Sequence, residues 1–157
     1  MARIVVSKHY EAPLSRVFEV FSDIENCADR IPGILKIEKL SDGPMGVGFK
    51  WRETRIMFKK EATEEMEITI FEPERRYVSI AHNCGCLYES EYRFEESDRG
   101  TMVERSFSAT PLTFMAKLFS PLGYLFNGMM RKCLEKDMEA LRQVIDGDVN
   151  AEPAPAG

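Results

Sequence analysis

PLGYLFNGMMRKCLEKDMEALRQVI, the stretch Pro121–Ile145, decides the fold of this protein. On a helical wheel it places apolar side chains on one broad arc and charged side chains opposite them. The apolar arc holds Leu122, Leu125, Phe126, Met129, Met130, Cys133, Leu134, Leu141, Val144 and Ile145, and the other face holds Arg131, Glu135, Glu139 and Arg142. Because so wide an apolar face needs a partner surface, the stretch predicts a long amphipathic helix packed against a sheet.

The residues before this helix predict that sheet. From residue 34 to residue 109, short extended runs alternate with turn residues, which is typical of an antiparallel meander rather than of βαβ units. With one N-terminal run, the predicted strands are 3–11, 34–40, 47–55, 60–71, 77–84, 88–95 and 101–109. Apolar positions after Pro13 recur at helical spacing and predict one short helix, followed by a second that runs toward Ile31.

Two hydroxyl–proline pairs mark the approach to the long helix. Thr110–Pro111 and Ser120–Pro121 each combine a capping residue with a first-turn proline. We therefore expect a helix from Thr110, a break near Ser120 and the long helix beyond it. The last residues, GDVNAEPAPAG, are small, polar and proline-bearing, so we expect one domain at 1–146 and a disordered tail at 147–157.

The charge distribution argues against a nucleic-acid partner. The 157-residue chain carries a net charge of -5, and its lysines and arginines are scattered rather than clustered. The N-terminus has no signal-peptide pattern, and no apolar run is long enough to span a bilayer. We expect a cytoplasmic protein, whereas nothing in the sequence indicates its oligomeric state.

The cysteines give no sign of a metal site or of another cofactor. Cys27, Cys84, Cys86 and Cys133 are expected to be reduced thiols. Cys84-Gly85-Cys86 lacks the second ligand pair of a zinc site and the CxxC spacing of a redox centre. We interpret it as a β-turn between two strands, and we expect no metal and no cofactor.

Several local runs, taken in order, resemble the SRPBCC (START/Bet v 1-like) superfamily. These runs are Glu11-Ala12-Pro13, Val17-Phe18, Ser22-Asp23, Ile34, Leu40-Ser41-Asp42-Gly43-Pro44 and Gly46-Val47-Gly48. Arg52-Glu53-Thr54, Phe71-Glu72-Pro73 and Lys136-Asp137-Met138 with Leu141 extend the resemblance to its polyketide cyclase/dehydrase-like branch. The resemblance covers Ile4 to Ile145 and departs from the family pattern at 55–60, where a glycine-bearing turn is expected.

The resemblance implies a helix-grip fold of class α+β. In that fold a curved antiparallel sheet wraps around the C-terminal helix, and a cavity between them holds a hydrophobic molecule such as a lipid, isoprenoid or polyketide. Our candidate ligand-binding residues are Phe18, Trp51, Met66, His82, Tyr88, Tyr92, Phe94, Arg105, Phe107, Phe126, Met129, Met130 and Cys133. The alternative is that these side chains fill a solid core.

Polar residues distinguish two functions for such a cavity. A carrier needs only a few anchors for the polar end of its ligand, whereas a polyketide cyclase or dehydratase needs a placed acid or base. His82, Arg105 and Glu53 are the candidate catalytic residues, although one residue of strand slip would place them in solvent. Because histidine is scarce and no acid–base pair is evident, we favour the carrier. Asp137 is expected to anchor the helix near its end, away from the cavity.

The segment from Ser106 to Met130 contains a single charged residue, Lys117. Its apolar side chains exceed what one helix face can bury, so some stay exposed or find a partner. We expect residues 111–130 to form the mouth of the cavity and to dock on a membrane surface or on another protomer. The alternative is a closed lid that hinges at Pro121 and Gly123.

Overall fold

A computed structural model describes residues 3–57, 59–119, 121–122 and 127–150. The strands are β1 (Arg3–Tyr10), β2 (Ile34–Lys39), β3 (Lys50–Met57), β4 (Lys60–Glu72), β5 (Arg76–Asn83), β6 (Cys86–Ser97) and β7 (Gly100–Pro111). The helices are α1 (Leu14–Ser22), α2 (Cys27–Arg30), α3 (Phe114–Phe119) and α4 (Asn127–Asn150), with a 3-10 turn at Ile24–Asn26. The strands form one antiparallel sheet in the order β1-β7-β6-β5-β4-β3-β2. The predicted helix-grip fold is confirmed.

Helix α4 lies across the inner face of this sheet and is fastened to β1. Its buried side chains Leu134, Met138, Leu141 and Ile145 recur at helical spacing. The Tyr10 hydroxyl donates to the Met138 carbonyl at 2.8 Å, and the Lys8 ammonium donates to the Glu139 carboxylate at 2.9 Å. These contacts hold the middle of α4 against the end of β1.

Aromatic side chains pack into a solid cluster beside the cavity described below. Phe18 meets Phe94 edge to face at a centroid distance of 5.0 Å, and Phe21 meets Tyr10 at 5.4 Å. The Tyr77 hydroxyl donates to the Phe21 carbonyl at 2.9 Å, so its one polar atom is satisfied inside the cluster. The cluster joins α1 to the central strands.

Three boundaries differ from the sequence prediction. The helix start predicted at Thr110–Pro111 is wrong, because β7 continues to Pro111, which pairs with Cys86 of β6. Helix α3 is capped instead by Thr113, whose hydroxyl accepts from the Ala116 amide at 3.1 Å. Helix α4 continues to Asn150, past the predicted helix end at Ile145. The predicted break at Ser120 and the hinge residue Gly123 lie outside the described residues, as do 151–157.

The β5–β6 turn explains the two closely spaced cysteines. Cys84 (φ 50°) and Gly85 (φ 74°) both adopt left-handed backbone, which is the geometry of a two-residue hairpin turn. A side chain at Gly85 would collide with Thr113, while the Gly85 carbonyl accepts from the Leu112 amide at 2.8 Å. The turn therefore ties the base of α3 to the sheet. In the β3–β4 turn, Lys59 (φ 67°) occupies left-handed backbone where a glycine was expected.

Candidate ligand-binding site

A cavity of about 280 Å³ lies between the inner face of the sheet and α4. Apolar side chains dominate its wall, with fewer polar groups among them, as in small-molecule sites generally. The apolar lining includes Trp51, Met66, Phe107, Met130, Leu134, Met138 and Leu141, and the polar lining includes Glu53, Arg55, Glu64, Ser79, Asn83, Ser90, Arg105 and Asp137. The cavity wall thus combines an apolar surface with several charged side chains.

More than half of the candidate residues line this cavity. They are Trp51, Met66, Tyr88, Tyr92, Arg105, Phe107 and Met130, together with the candidate catalytic residue Glu53. Phe18 and Phe94 were expected in the lining but belong to the aromatic cluster, because each packs against the other deep in the core. Phe126 lies outside the described residues.

His82 does not line the cavity. Along β5 the side chains of Tyr77, Ser79 and Asn83 face inward, so His82 faces outward and is exposed. The prediction that His82 shares the cavity face is therefore wrong in its strand register, since neighbouring residues of a strand face opposite sides. The other histidine, His9, lies 3.2 Å from the Asp98 carbonyl in an exposed contact.

Met129 and Cys133 line a second, more open groove of about 830 Å³. This outer groove lies between α4, the residues after α2 and the end of β3. Met129 is 48% exposed, so the buried face of α4 is narrower than the apolar arc predicted from the helical wheel. Arg55 and Asp137 line both the outer groove and the cavity.

A charged cluster joins α4 to the sheet at the cavity wall. Both oxygens of Asp137 accept from Arg55 Nη2, at 3.0 and 2.9 Å. Asp137 Oδ2 also accepts from Arg105 Nη1 at 3.4 Å, and Glu53 Oε2 lies 3.8 Å from Arg55 Nε. The expected position of Asp137 is wrong, because it lies in the middle of α4 and lines the cavity. Its contacts show why a buried carboxylate is tolerated on the apolar face.

Arg55 is the cluster member that sequence reasoning missed. It lies two residues from Glu53 on β3, so the two share one face of the strand. The opposite charges on either side of Thr54 were the feature of the sequence that could have predicted this pair. The buried serines Ser79 and Ser90, which pair across β5 and β6, were also missed and carry no distinctive pattern.

Burial shifts the ionisation of several groups in the cavity. It raises the pKa of the Glu53 carboxyl, although the nearby Arg55 guanidinium opposes the shift. It also raises the pKa of Tyr92 and of Cys27, each to about 12, so both remain protonated at neutral pH. Burial therefore favours the protonated form of Glu53 more than water does.

This shift predicts a pH-dependent stability difference between the wild type and Glu53→Gln. A raised folded pKa means that Glu53 contributes most to stability below its unfolded value near 4.5, and that the contribution falls as the pH rises through the folded value. The free energy of unfolding of the wild type, minus that of Glu53→Gln, should therefore decrease between pH 4.5 and pH 7.5. Urea denaturation of both proteins at several pH values measures it. A difference that is flat, or that grows with pH, contradicts the shift.

A family model described as "Polyketide cyclase / dehydrase and lipid transport" matches residues 1–146. The chain belongs to this family. The match covers nearly the whole chain and confirms the resemblance seen in the local sequence runs. No curated protein sequence matches the chain.

Solved structures with the same fold include three of different kinds. TTHA0849 from Thermus thermophilus superposes with a TM-score of 0.77 and 16% identity, over 97% of this chain and 100% of that one. Ara h 8.0201 superposes with a TM-score of 0.67 and 15% identity, over 93% of this chain and 98% of that one. The di-domain ARO/CYC StfQ from the steffimycin biosynthetic pathway superposes with a TM-score of 0.77 and 9% identity, over 95% of this chain and 52% of StfQ. At these identities the likeness shows the fold alone.

Neither a metal centre nor a membrane span is found in the described part of the chain. In residues 3–57, 59–119, 121–122 and 127–150, His, Cys, Asp and Glu do not form a group of three or more that could hold a metal ion. Within the same ranges, every helix is too short or too polar to cross a bilayer.

Proposed function

We propose that this protein binds and carries a hydrophobic small molecule in the cavity between the sheet and α4. The observation that supports the proposal is an internal space of about 280 Å³ with a mainly apolar wall. Met66 and Met130 contribute flexible, polarisable side chains to that wall, which suit ligands of varied shape. Membership of a family described by both cyclisation and lipid transport agrees with this role.

Carriage is favoured over catalysis by the positions of the histidines. Both lie outside the cavity, so the usual side chain for proton transfer at neutral pH is not available to a bound ligand. Two hydrogen bonds between Arg55 and Asp137 hold the charged cluster in place, and Arg105 beside them is suited to anchor the polar end of a ligand. The remaining lining is apolar or aromatic and supplies shape.

Native mass spectrometry of the purified protein, followed by extraction with organic solvent, tests the proposal. We expect the wild type to carry a bound mass that the matched variant Ser90→Leu lacks, because leucine fills the cavity from a buried position in its wall. Filling a cavity with apolar atoms is commonly stabilising, so the melting temperature of Ser90→Leu should be equal to that of the wild type or higher. A wild type with no bound mass, and with no affinity for fatty acids, isoprenoids or polyketide-like aromatics, would refute carriage.

A cyclase or dehydratase is the second candidate, favoured by one observation. Glu53 is a largely buried acid, its side chain 15% exposed, with a raised pKa, and it pairs directly with Glu64 across β3 and β4. A protonated Glu53 would give its proton to a hydroxyl group that leaves as water, and the Glu64 carboxylate would take a proton from the neighbouring carbon as the double bond forms. Arg105 would polarise the adjacent carbonyl. The two roles separate by mass, because a carried molecule is released unchanged and a dehydrated product is lighter by one water.

Residues 111–130 form the docking segment, which we propose rests on a membrane surface during ligand exchange. Its exposed apolar side chains are Leu112, Phe114, Met115, Leu118, Phe119, Leu122 and Met129, of which Phe114 is 77% exposed. So many exposed apolar side chains within one short stretch of the chain favour an interaction surface. Lys117 on α3 and the exposed Lys132 and Lys136 on α4 add positive charge nearby, which favours an anionic bilayer.

A further inference from the structure

Arg105 is a buried cation with an incomplete set of partners. The residue is only 8% exposed, and its contact with Asp137 is a single long hydrogen bond of 3.4 Å. Its guanidinium also lies 4.9 Å from the centre of the Tyr92 ring. Among the described residues, Arg105 Nε has no hydrogen-bond acceptor. A buried donor without an acceptor is costly, and the cost is greater for a charged group.

The neighbouring acids do not make up this deficit. Both oxygens of Asp137 accept hydrogen bonds from Arg55, and the hydrogen bond from Arg105 to Asp137 is longer and therefore weaker. Glu53 lies next to Arg55 rather than Arg105, and burial favours its neutral form. The Glu64 carboxylate accepts from Asn83 Nδ2 at 3.0 Å on the neighbouring strand. The Asp137 carboxylate is thus divided between two guanidinium groups, and the second acid, Glu53, approaches only Arg55.

We propose that the ligand is an amphipathic carboxylic acid whose carboxylate binds Arg105. The inference rests on the proposed carrier function and names the class of molecule carried. Arginine is suited to this task because its planar fork matches the two oxygens of a carboxylate. The apolar body of the ligand lies among Met66, Phe107 and Met130, which line the same cavity.

The cavity also limits the size of this acid. A cavity of roughly 150 Å³ holds one benzene molecule, so the observed volume accommodates on the order of ten non-hydrogen atoms. A medium-chain fatty acid or a small aromatic acid has this size. Long-chain phospholipids exceed it.

The test compares decanoate with methyl nonanoate, the uncharged ester that is an isomer of decanoic acid and has the same size. Trp51 is the one tryptophan in the chain and lines the cavity, so its fluorescence reports binding directly. At neutral pH we expect the wild type to bind decanoate at least about tenfold more tightly than the ester. In Arg105→Gln we expect decanoate affinity to fall by about tenfold to a hundredfold, the range for a hydrogen bond to a charged group. Ester affinity should change little.

Arg52→Gln is the matched control, because Arg52 is on β3 but pairs outside the cavity with Glu38 and Glu65. It should keep the preference of the wild type for decanoate. Circular dichroism and melting curves verify that Arg105→Gln folds. If this variant does not fold, the ratio of the wild-type affinities for the acid and the ester still tests the inference. Equal binding of acid and ester would overturn the acid class and leave carriage intact. If no fatty acid, ester or aromatic probe binds, carriage itself fails.

Discussion

Replacing Asp137 by alanine is expected to lower the free energy of unfolding by about 3–5 kcal/mol, the range for removing one partner of a buried ion pair. The change leaves Arg55 without its two hydrogen bonds of about 3 Å and Arg105 without its one contact to a carboxylate. Both guanidinium groups would then be buried without an ionised partner that contacts them closely. Urea denaturation followed by Trp51 fluorescence and by circular dichroism measures the loss.

Two further variants assign the cause of that loss. Asp137→Asn keeps the volume of the side chain and removes its charge, so a loss nearly as large as that of alanine identifies the ion pair as the source. Glu135→Ala lies on an exposed position of the same helix and should change stability by less than about 0.5 kcal/mol. If Asp137→Ala loses less than about 1 kcal/mol, the cluster is not what fastens α4 to the sheet.

The double variant Phe114→Glu, Phe119→Glu is expected to lower binding to vesicles by at least about a hundredfold. Each phenylalanine contributes about 1.5–3 kcal/mol when its exposed surface leaves water, and the glutamates add repulsion from anionic lipid. Co-sedimentation with vesicles of phosphatidylcholine and phosphatidylglycerol measures the partitioning. The bound fraction of the wild type should fall at high salt, because part of the attraction is electrostatic.

Leu40→Glu, Val47→Glu is the matched control for this experiment. Both residues are exposed and apolar, and both lie in the β2–β3 loop, at the end of the sheet opposite the docking segment. This variant adds the same charge and should bind vesicles nearly as well as the wild type. If all three proteins partition equally, docking through 111–130 is refuted. A wild type that ignores vesicles but dimerises, with loss of the dimer in Phe114→Glu, Phe119→Glu, identifies a second protomer as the partner.

Local patterns were sufficient for the sheet and its order of elements. Turn residues and alternating side chains placed all seven strands within a few residues of their observed bounds, because each strand has one face in the core. The error at Thr110–Pro111 came from tertiary structure, since pairing with Cys86 extends β7 over a local helix signal. Helix α3 then starts where a side chain, Thr113, caps it.

The cavity was harder to predict than the fold. A strand pattern shows which residues share a face but not how deep each one lies, so Phe18 and Phe94 were assigned to a wall when they belong to the core. His82 was misplaced because a polar residue gives no sign of which way it faces. The partners of Asp137 come from β3 and β7, far away in the chain, and only the folded sheet brings them together.

Arg55 and Asp137 line both the inner cavity and the outer groove, as do Ile31 and Met57. A molecule that passes from one compartment to the other at this point requires no strand to separate from its neighbour. It requires that the Arg55–Asp137 ion pair breaks and that its side chains then rotate. Side-chain rotation itself is far faster than collective motions of the backbone. The Arg55–Asp137 ion pair also fastens α4 to β3, so the contact that holds the helix is the one that must break for a ligand to pass. Loading is therefore expected to loosen α4 briefly, which would appear as faster amide exchange in that helix while ligand is being exchanged.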